Sequence, residues 1–470
     1  MGVSKEKIKI DSRGINPGDI FVAIRGSAKD GHEYVREAFQ NGARSSVCEY
    51  YADGLTDDEK EKIIIVGDSR KALGEMLKKA FEDPSSRLTT YGVTGTNGKT
   101  TTVYLIDSIL SSSGAESGFI STVSVKSCGN DEEKANMTTP DILSINRFFS
   151  EMLSSGKTDA VIEISSHALS QERISGIGLD YAVFTNLTPE HMDYHESMDS
   201  YLNAKIRIFD ALKKEGTGVI NIDDPKIRRF KKKISKCVTF GIDAEADIRA
   251  ENIEYKKDAT KFLLKAGKYG KIDIVTKLIG KHNVYNILGA AGCLLDRGIA
   301  LDAVKEGIEK FKGVPGRLQE IFSKAPFKVF VDYAHTPIAL ENVLKCTKGI
   351  SSGKLICVFG CGGDRDKEKR PVMGKIVSSL ADVAILTSDN PRTEDPEEII
   401  RQVEEGMEGS GHIVIPDRLE AIKESFERAQ KDDVVVIAGK GHEDYQIVGK
   451  DRFYFDDVEV SKKILKEMNY

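Results

Sequence analysis

The run Tyr91-Gly92-Val93-Thr94-Gly95-Thr96-Asn97-Gly98-Lys99-Thr100-Thr101-Thr102 constrains this chain more than any other stretch. An apolar strand end passes through glycines into Gly-Lys-Thr and then into residues with helical spacing. Gly95 and Gly98 let backbone N–H groups turn toward an oxyanion with no Cβ in the way, and the helix start adds positive dipole. Lys99 supplies a point charge, and Thr100 suits Mg²⁺. The strict GxxxxGK[ST] pattern is not met, because Val93 stands where its first glycine would be. The loop predicts a phosphate site over Gly95, Thr96, Asn97, Gly98, Lys99, Thr100 and Thr101. By itself it leaves kinase, GTPase, motor and ligase open.

A phosphate loop needs a parallel sheet behind it, and the rest of the chain supplies the pattern. Apolar, β-branched runs at 63–66, 160–164, 181–184, 218–222, 329–331, 355–359, 383–386 and 434–438 read as buried strands. Amphipathic stretches at 100–112, 144–154, 337–348 and 419–430 read as helices between them. Such alternation predicts an α/β fold with mostly parallel sheets. At 470 residues, several domains are expected. We place them at 1–84, at 85–313 with a β-rich insertion near 237–280, and at 314–470, which opens at Gly313-Val314-Pro315-Gly316-Arg317. Residues 82–86 read as a linker. The formal net charge of −6 argues against a large nucleic-acid surface, and no apolar run approaches the length of a membrane span. Seven scattered cysteines without a CxxC suggest a reducing, cytoplasmic setting with no disulfide framework or structural zinc.

Two strands after the loop end in chemistry-bearing residues. One exits through Glu163-Ile164-Ser165-Ser166-His167, with Gln171 and Arg173 beyond. The other exits through Asn186-Leu187-Thr188-Pro189-Glu190-His191-Met192-Asp193-Tyr194-His195, with Lys205 ten residues on. In a parallel sheet the C-terminal strand ends lie side by side, where ligands collect. Glu163 and His191 should therefore face the loop, as Mg²⁺ ligands beside a triphosphate. His167, His191, His195 and His335 all follow strand ends.

Together these stretches resemble the Mur ligase family, ATP-dependent amino-acid-adding enzymes of peptidoglycan synthesis. The resemblance rests on the 95–101 loop, Glu163–His167, Asn186–His195, Lys205, Gly280-Lys281-His282-Asn283-Val284-Tyr285-Asn286, Pro315-Gly316-Arg317 and Asp332-Tyr333-Ala334-His335-Thr336-Pro337, in the family's order and across most of the chain. It implies a UDP-binding N-terminal domain, a central ATPase, and a Rossmann-like third domain that brings the amino acid. It implies Thr100, Glu163, His191 and a carbamylated Lys205 around Mg²⁺, and Lys99, Glu163, His191, Lys205 and Arg317 as the catalytic set. Asn283 and Asn286 would lie by the adenine, Asp332 by the ribose and Arg317 by the γ-phosphate. Ile10, Ser12, Ser27, Ala28 and Lys29 would contact UDP. Thr138, Thr139, Ser165, Gln171, Arg173 and Lys205 would contact the acyl substrate.

In the third domain, three strand exits carry Gly362-Gly363-Asp364-Arg365, Asp389-Asn390-Pro391-Arg392, and Gly439-Lys440-Gly441-His442-Glu443. A zwitterionic amino acid needs such a mixture of arginine forks and carboxylates. Asp-Asn-Pro-Arg is similar to the recognition motif of the branch that adds meso-2,6-diaminopimelate to UDP-N-acetylmuramoyl-L-alanyl-D-glutamate. Arg365, Asp389, Asn390, Pro391, Arg392, Gly439 and Glu443 would then hold that amino acid. Arg392 would face the second carboxylate, which lysine lacks. A monomer in the cytoplasm, with no nucleic-acid or membrane partner, is expected. A folate or cyanophycin-type ligase, a non-catalytic precursor binder and a plain phosphate-loop switch are the alternatives.

Overall fold

The structure, a computed structural model, describes residues 7–26, 29–256, 258–409 and 411–470, with the Asp193 side chain left out. The predicted strand–helix alternation resolves into three sheets, one per block, plus a small hairpin. Near the N-terminus, strands Ile8–Lys9, Ile20–Val22, Ser45–Cys48 and Ile63–Ile65 form a parallel sheet in that order. The helix Ser69–Ala80 covers it, capped by the Asp68 carboxylate on the N–H groups of Arg70 and Lys71. The expected linker is in fact tight. Glu82 and Asp83 take positive φ, and a helical turn Pro84–Arg87 follows.

The central sheet has eleven strands. Its middle runs Leu179–Phe184, Thr89–Thr94, Asp159–Glu163, Ser117–Ile120, the first two pairs and the last all parallel. The β-rich insertion is an extension of this sheet. Strands Lys236–Gly241 and Ile248–Tyr255 continue it in parallel, and Thr260–Lys265 and Lys271–Thr276 add antiparallel edges. The loop helix Lys99–Ser112 is buried nearly all round, with Val103, Leu105, Ile106, Ile109 and Leu110 at 0% exposure. Helix Leu301–Lys310 crosses it so closely that a Cβ on Gly307 would sit 2.4 Å from the Ile109 Cα. Full burial of each such aliphatic side chain contributes roughly 1.5–3 kcal/mol. This packing anchors the start of the helix, where the phosphate loop ends.

In the third block, strands run Gln319–Glu320, Lys328–Asp332, Val434–Ala438, Leu355–Phe359, Val383–Leu386, Ile413–Val414, parallel except for the first pair. Sequential strands lie out of order about Val434–Ala438, which opens a crevice at its C-terminal end. The hairpin Tyr445–Val448/Asp451–Tyr454 stands beside that crevice. No helix among the described residues is long and apolar enough to cross a membrane.

Candidate active site

The phosphate loop is held by backbone geometry that only glycine permits. Gly95 has φ +146° and Gly98 φ +85°; a Cβ on the first would meet the Thr185 hydroxyl at 1.9 Å, on the second the Asn286 carboxamide at 2.1 Å. The next strand exit clamps the loop from the side. The Asn186 carboxamide accepts from the Asn97 N–H and donates to the Asn97 carbonyl, each at 2.9 Å. The Thr185 hydroxyl donates to the same carbonyl at 2.7 Å, and across the same gap the Thr96 hydroxyl donates to the Thr188 carbonyl and accepts from the Thr188 N–H. Lys99 folds its ammonium onto the Thr96 carbonyl at 2.8 Å.

Around the loop lies a cavity of ~200 Å³ lined by 96–101, Thr122, Thr138, Glu163, Ser165, Glu190, His191, Arg317, Tyr333, His335, Thr336 and Ala339. Of the predicted residues, the structure thus gathers the loop, Glu163, His191, Thr138, Ser165 and Arg317 around one space. Glu163 is 1% exposed; one carboxylate oxygen accepts from the Thr122 N–H at 2.9 Å. Arg317, from the third domain, reaches within 3.5 Å of the Thr100 hydroxyl and lies over the Tyr333 ring, 4.6 Å from its centroid. Its buried Nε has no hydrogen-bond partner.

Other predicted residues stand behind this wall. Asn286 donates to the Asn283 carboxamide at 3.1 Å, and Asn283 donates to the Ile279 carbonyl. Both support Gly98 without lining the cavity. The Asp332 carboxylate accepts from the N–H groups of Leu318 and Ala334, at 2.5 and 2.7 Å, so it fixes the turn that aims Arg317. Burial raises that carboxyl above its usual range, against the lowering effect of Arg317. Lys205 also lies off the cavity wall. It is 1% exposed and donates to the Gly95 carbonyl at 2.7 Å, above the Tyr201 ring. Burial, then the charge of Lys99, drive its ammonium well below the ordinary lysine value.

Thr139, Ser165, Gln171 and Arg173 form one network. Arg173 donates to the Thr139 carbonyl at 2.7 Å and, through two nitrogens, to the Gln171 carboxamide oxygen. Thr139 donates to the Glu163 carbonyl at 2.9 Å. At the N-terminal sheet the predicted contacts scatter. Ile10 and Lys29 are exposed, whereas Ser12 is buried with its hydroxyl on the Glu37 carboxylate. Ser27 and Ala28 lie outside the described residues.

A second cavity, ~660 Å³, adjoins the first. Of the residues expected to hold the amino acid, Arg365, Asp389, Asn390, Arg392, Gly439 and Glu443 line it, and Pro391 is buried next to Asn390 and Arg392 in the chain. Glu190, His191, Tyr333, His335 and Thr336 line both cavities. Arg392 has a left-handed backbone, φ 52°, fixed by exchange with the hairpin: its N–H donates to the Ile447 carbonyl and its own carbonyl accepts from Gly449. The guanidinium is set by Nη1, which donates to the Gly363 carbonyl at 2.7 Å. Asn390 donates to Glu443 at 2.9 Å. Burial, then the Asp389 carboxylate, raise the Glu443 carboxyl.

Three family models match in order: the Mur ligase family catalytic domain over residues 6–80, the Mur ligase middle domain over 93–294, and the Mur ligase glutamate ligase domain over 316–441. A protein of Clostridium botulinum named UDP-N-acetylmuramoyl-L-alanyl-D-glutamate–2,6-diaminopimelate ligase is 42% identical over 98% of this chain and 95% of its own length. The chain belongs to the Mur ligase family. A ligase of the same name from Halalkalibacterium halodurans is 42% identical over 98% of this chain and 94% of its own length. A solved structure titled as that ligase superposes with a TM-score of 0.71 at 34% identity, covering 98% of this chain and 95% of the other. The MurF ligase of Thermotoga maritima in complex with ADP shares the fold at 19% identity, TM-score 0.66, covering 98% and 97%.

Within this Mur ligase, residues given no role from the sequence also line or brace the two cavities. Glu190 is one, on the wall between the cavities. Burial acts to raise its carboxyl, but Lys99, His191, His335 and Lys205 together bring it below the ordinary value. His335 is another: burial and Lys369 push its imidazole down to about 4, and its Nδ1 lies 2.8 Å from the Tyr333 carbonyl. Asn186 and Thr122 hold the loop and Glu163. Asn186 and Glu190 stand in the stretch that carries the resemblance, which is the signal that could have marked them.

Because Arg392 is anchored through a single nitrogen, its loss should leave the loop intact. We expect Arg392→Ala to raise the KM for the amino acid about 10–100-fold, the effect of leaving one carboxylate unpaired. The KM for ATP should stay put; steady-state kinetics with each substrate varied checks both.

Proposed function

We propose that this chain is an ATP-dependent ligase that adds meso-2,6-diaminopimelate to UDP-N-acetylmuramoyl-L-alanyl-D-glutamate, a step of peptidoglycan precursor synthesis. One observation carries it: the phosphate-loop cavity and the arginine-and-carboxylate cavity share a wall, so a phosphorylated carboxylate in one can meet an amine from the other.

The D-glutamate carboxylate takes the γ-phosphoryl of ATP, giving an acyl phosphate. The diaminopimelate amine attacks that carbonyl, and phosphate leaves as the amide forms. Lys99 and Arg317 offset charge on the phosphoryl group, and the loop N–H groups fix its position. The Thr139–Ser165–Arg173 network orients the acyl substrate. Glu190 and His335 border the point of attack.

The site suits Mg²⁺. Glu163 presents a buried carboxylate on the same cavity wall as Thr100, next to the loop N–H groups. Among the described residues no three His, Cys, Asp or Glu side chains converge as a ready-made metal cluster. Mg²⁺ binds through one or two carboxylates plus phosphate oxygens, which Glu163 and a bound triphosphate would supply. Thr100 and Glu163 would hold one ion, and Glu163, His191 and a carbamylated Lys205 a second; the metal would supply charge neutralisation. A lysine amine depressed by burial is the nucleophile that CO₂ requires, which supports carbamylation.

Both cavities are built from one polypeptide, so a monomer suffices. Seven unpaired cysteines and soluble substrates favour the cytoplasm. Phosphate release from ATP and the UDP-dipeptide, measured over an amino-acid panel, tests the assignment. We expect kcat/KM for meso-diaminopimelate to exceed that for L-lysine by about 10³-fold or more, since lysine leaves an arginine unpaired. Equal rates would end the specificity.

A further inference from the structure

Lys440 is fully buried, 0% exposed, behind the amino-acid cavity and does not line it. A buried ammonium persists only with counter-charges. Here the candidates are few. The neighbouring Asp457 is taken up by Arg418, which holds it through two nitrogens at 2.8 and 2.7 Å, both side chains at 0% exposure. Lys440 is left with Asp389 at 3.7 Å and Glu443 at 3.9 Å, the two carboxylates of the cradle. One Asp389 oxygen is buried with no hydrogen-bond partner. Lys440 also donates to the Asn390 carboxamide oxygen at 3.2 Å, and the Ile447 N–H donates to the same oxygen at 3.0 Å. With its oxygen gripped by two donors, Asn390 must turn its NH₂ toward Glu443.

We propose that Lys440 is the positioning residue of the amino-acid cradle: it fixes the Asn390 carboxamide and balances the charge of Asp389 and Glu443, so that both carboxylates can face an ammonium group of the incoming amino acid. The assignment rests on the ligase reading above. Lys440 acts through its three neighbours and does not touch the substrate. Two carboxylates this close would otherwise repel, and one would take up a proton. The Glu443 carboxyl stands above its usual value: burial and Asp389 raise it, against the lowering effects of Lys440, the Asn390 hydrogen bond and the Tyr445 hydroxyl, and the Tyr333 hydroxyl donates to it at 3.4 Å. Lys440 itself is lowered by burial and by Arg418, and raised by Asp389, Glu443 and Asp457.

The test is full steady-state kinetics of Lys440→Met against wild type across pH, with meso-diaminopimelate, ATP and the UDP-dipeptide varied in turn. Wild-type turnover of diaminopimelate comes first; its absence would sink the ligase assignment itself. Given that turnover, Lys440→Met should raise the KM for diaminopimelate about tenfold or more. It should also shift the acid limb of kcat/KM for diaminopimelate to higher pH, because Glu443 now protonates more readily. The KM values for ATP and the UDP-dipeptide should stay within about twofold, because Asp389, Asn390 and Glu443 line the amino-acid cavity and not the phosphate-loop cavity. Lys440→Arg, which restores the cation, should bring the acid limb back toward wild type. An unshifted acid limb in Lys440→Met, or a parallel rise of all three KM values, overturns the proposal. If Lys440→Met does not fold, Lys440→Gln is read in the same way. If neither neutral variant folds, Lys440 is a structural lysine and the proposal falls.

Discussion

Lys205→Ala should lower kcat by about 10²–10³-fold, the scale seen when one preorganised electrostatic contact to the transition state is lost, here through the metal that a carbamylated Lys205 would help to hold. A small carboxylic acid in the buffer should restore part of the activity, since it can enter the vacated space and supply the missing oxygen ligand. Activity left intact would remove the carbamate role. Stability should move the other way. Lys205 is a lysine whose folded value lies well below that of the unfolded chain, its charge opposed by burial and by Lys99. In CO₂-free buffer the unfolded state therefore holds the extra proton between the folded value and about 10.4. Wild-type stability rises with pH through that window and is reduced by a constant amount below it. Lys205→Met lacks the slope. Near neutral pH its melting temperature should match or exceed that of unmodified wild type, so lost activity and retained fold are read in one experiment.

Arg317→Lys should cost about 10³-fold in kcat, the lower part of the range for an arginine that covers a transferring phosphoryl group. The substitution keeps the charge but not the plane. The guanidinium lies over Tyr333, 4.6 Å from its centroid, and reaches toward Thr100 from another domain. An ammonium would neither stack in that way nor offer the same fork. The KM for ATP should change less than kcat, because the contact bridges two domains and counts most when they are closed. Single-turnover phosphate release separates the two effects. A Lys variant with wild-type kcat would make Arg317 a linker residue only.

Much of the fold was legible because buried parallel strands are continuous apolar runs. The strands Leu355–Phe359, Val383–Leu386 and Val434–Ala438 match their sequence expectation residue for residue. The strand expected at 218–222 starts six residues earlier, at Leu212. Lys213, Lys214, Glu215 and Gly216 gave no apolar signal there, and the pairing carries a register shift opposite Leu179 and Tyr181. The helix expected at 144 begins at Ile142, where the Asp141 carboxylate caps the Ser144 N–H. In the site, the phosphate loop was local and easily read. Glu190 and Lys440 were not, because each owes its place to residues far away in sequence. Glu190 faces Tyr333 and His335 across the domain boundary, and Lys440 meets Asp389 and Asn390 from a different strand exit. Both stand in stretches that the sequence marks, but nothing local separates either from the other charges of its strand exit.

The wall of Glu190, His191, Tyr333, His335 and Thr336 has a pharmacological corollary. A bifunctional inhibitor, with a phosphate mimic at one end and a diamino acid at the other, would have to pass through that neck. Its spacer, not either end group, would set potency, because tethering gains affinity only when the linker spans the two sites without strain.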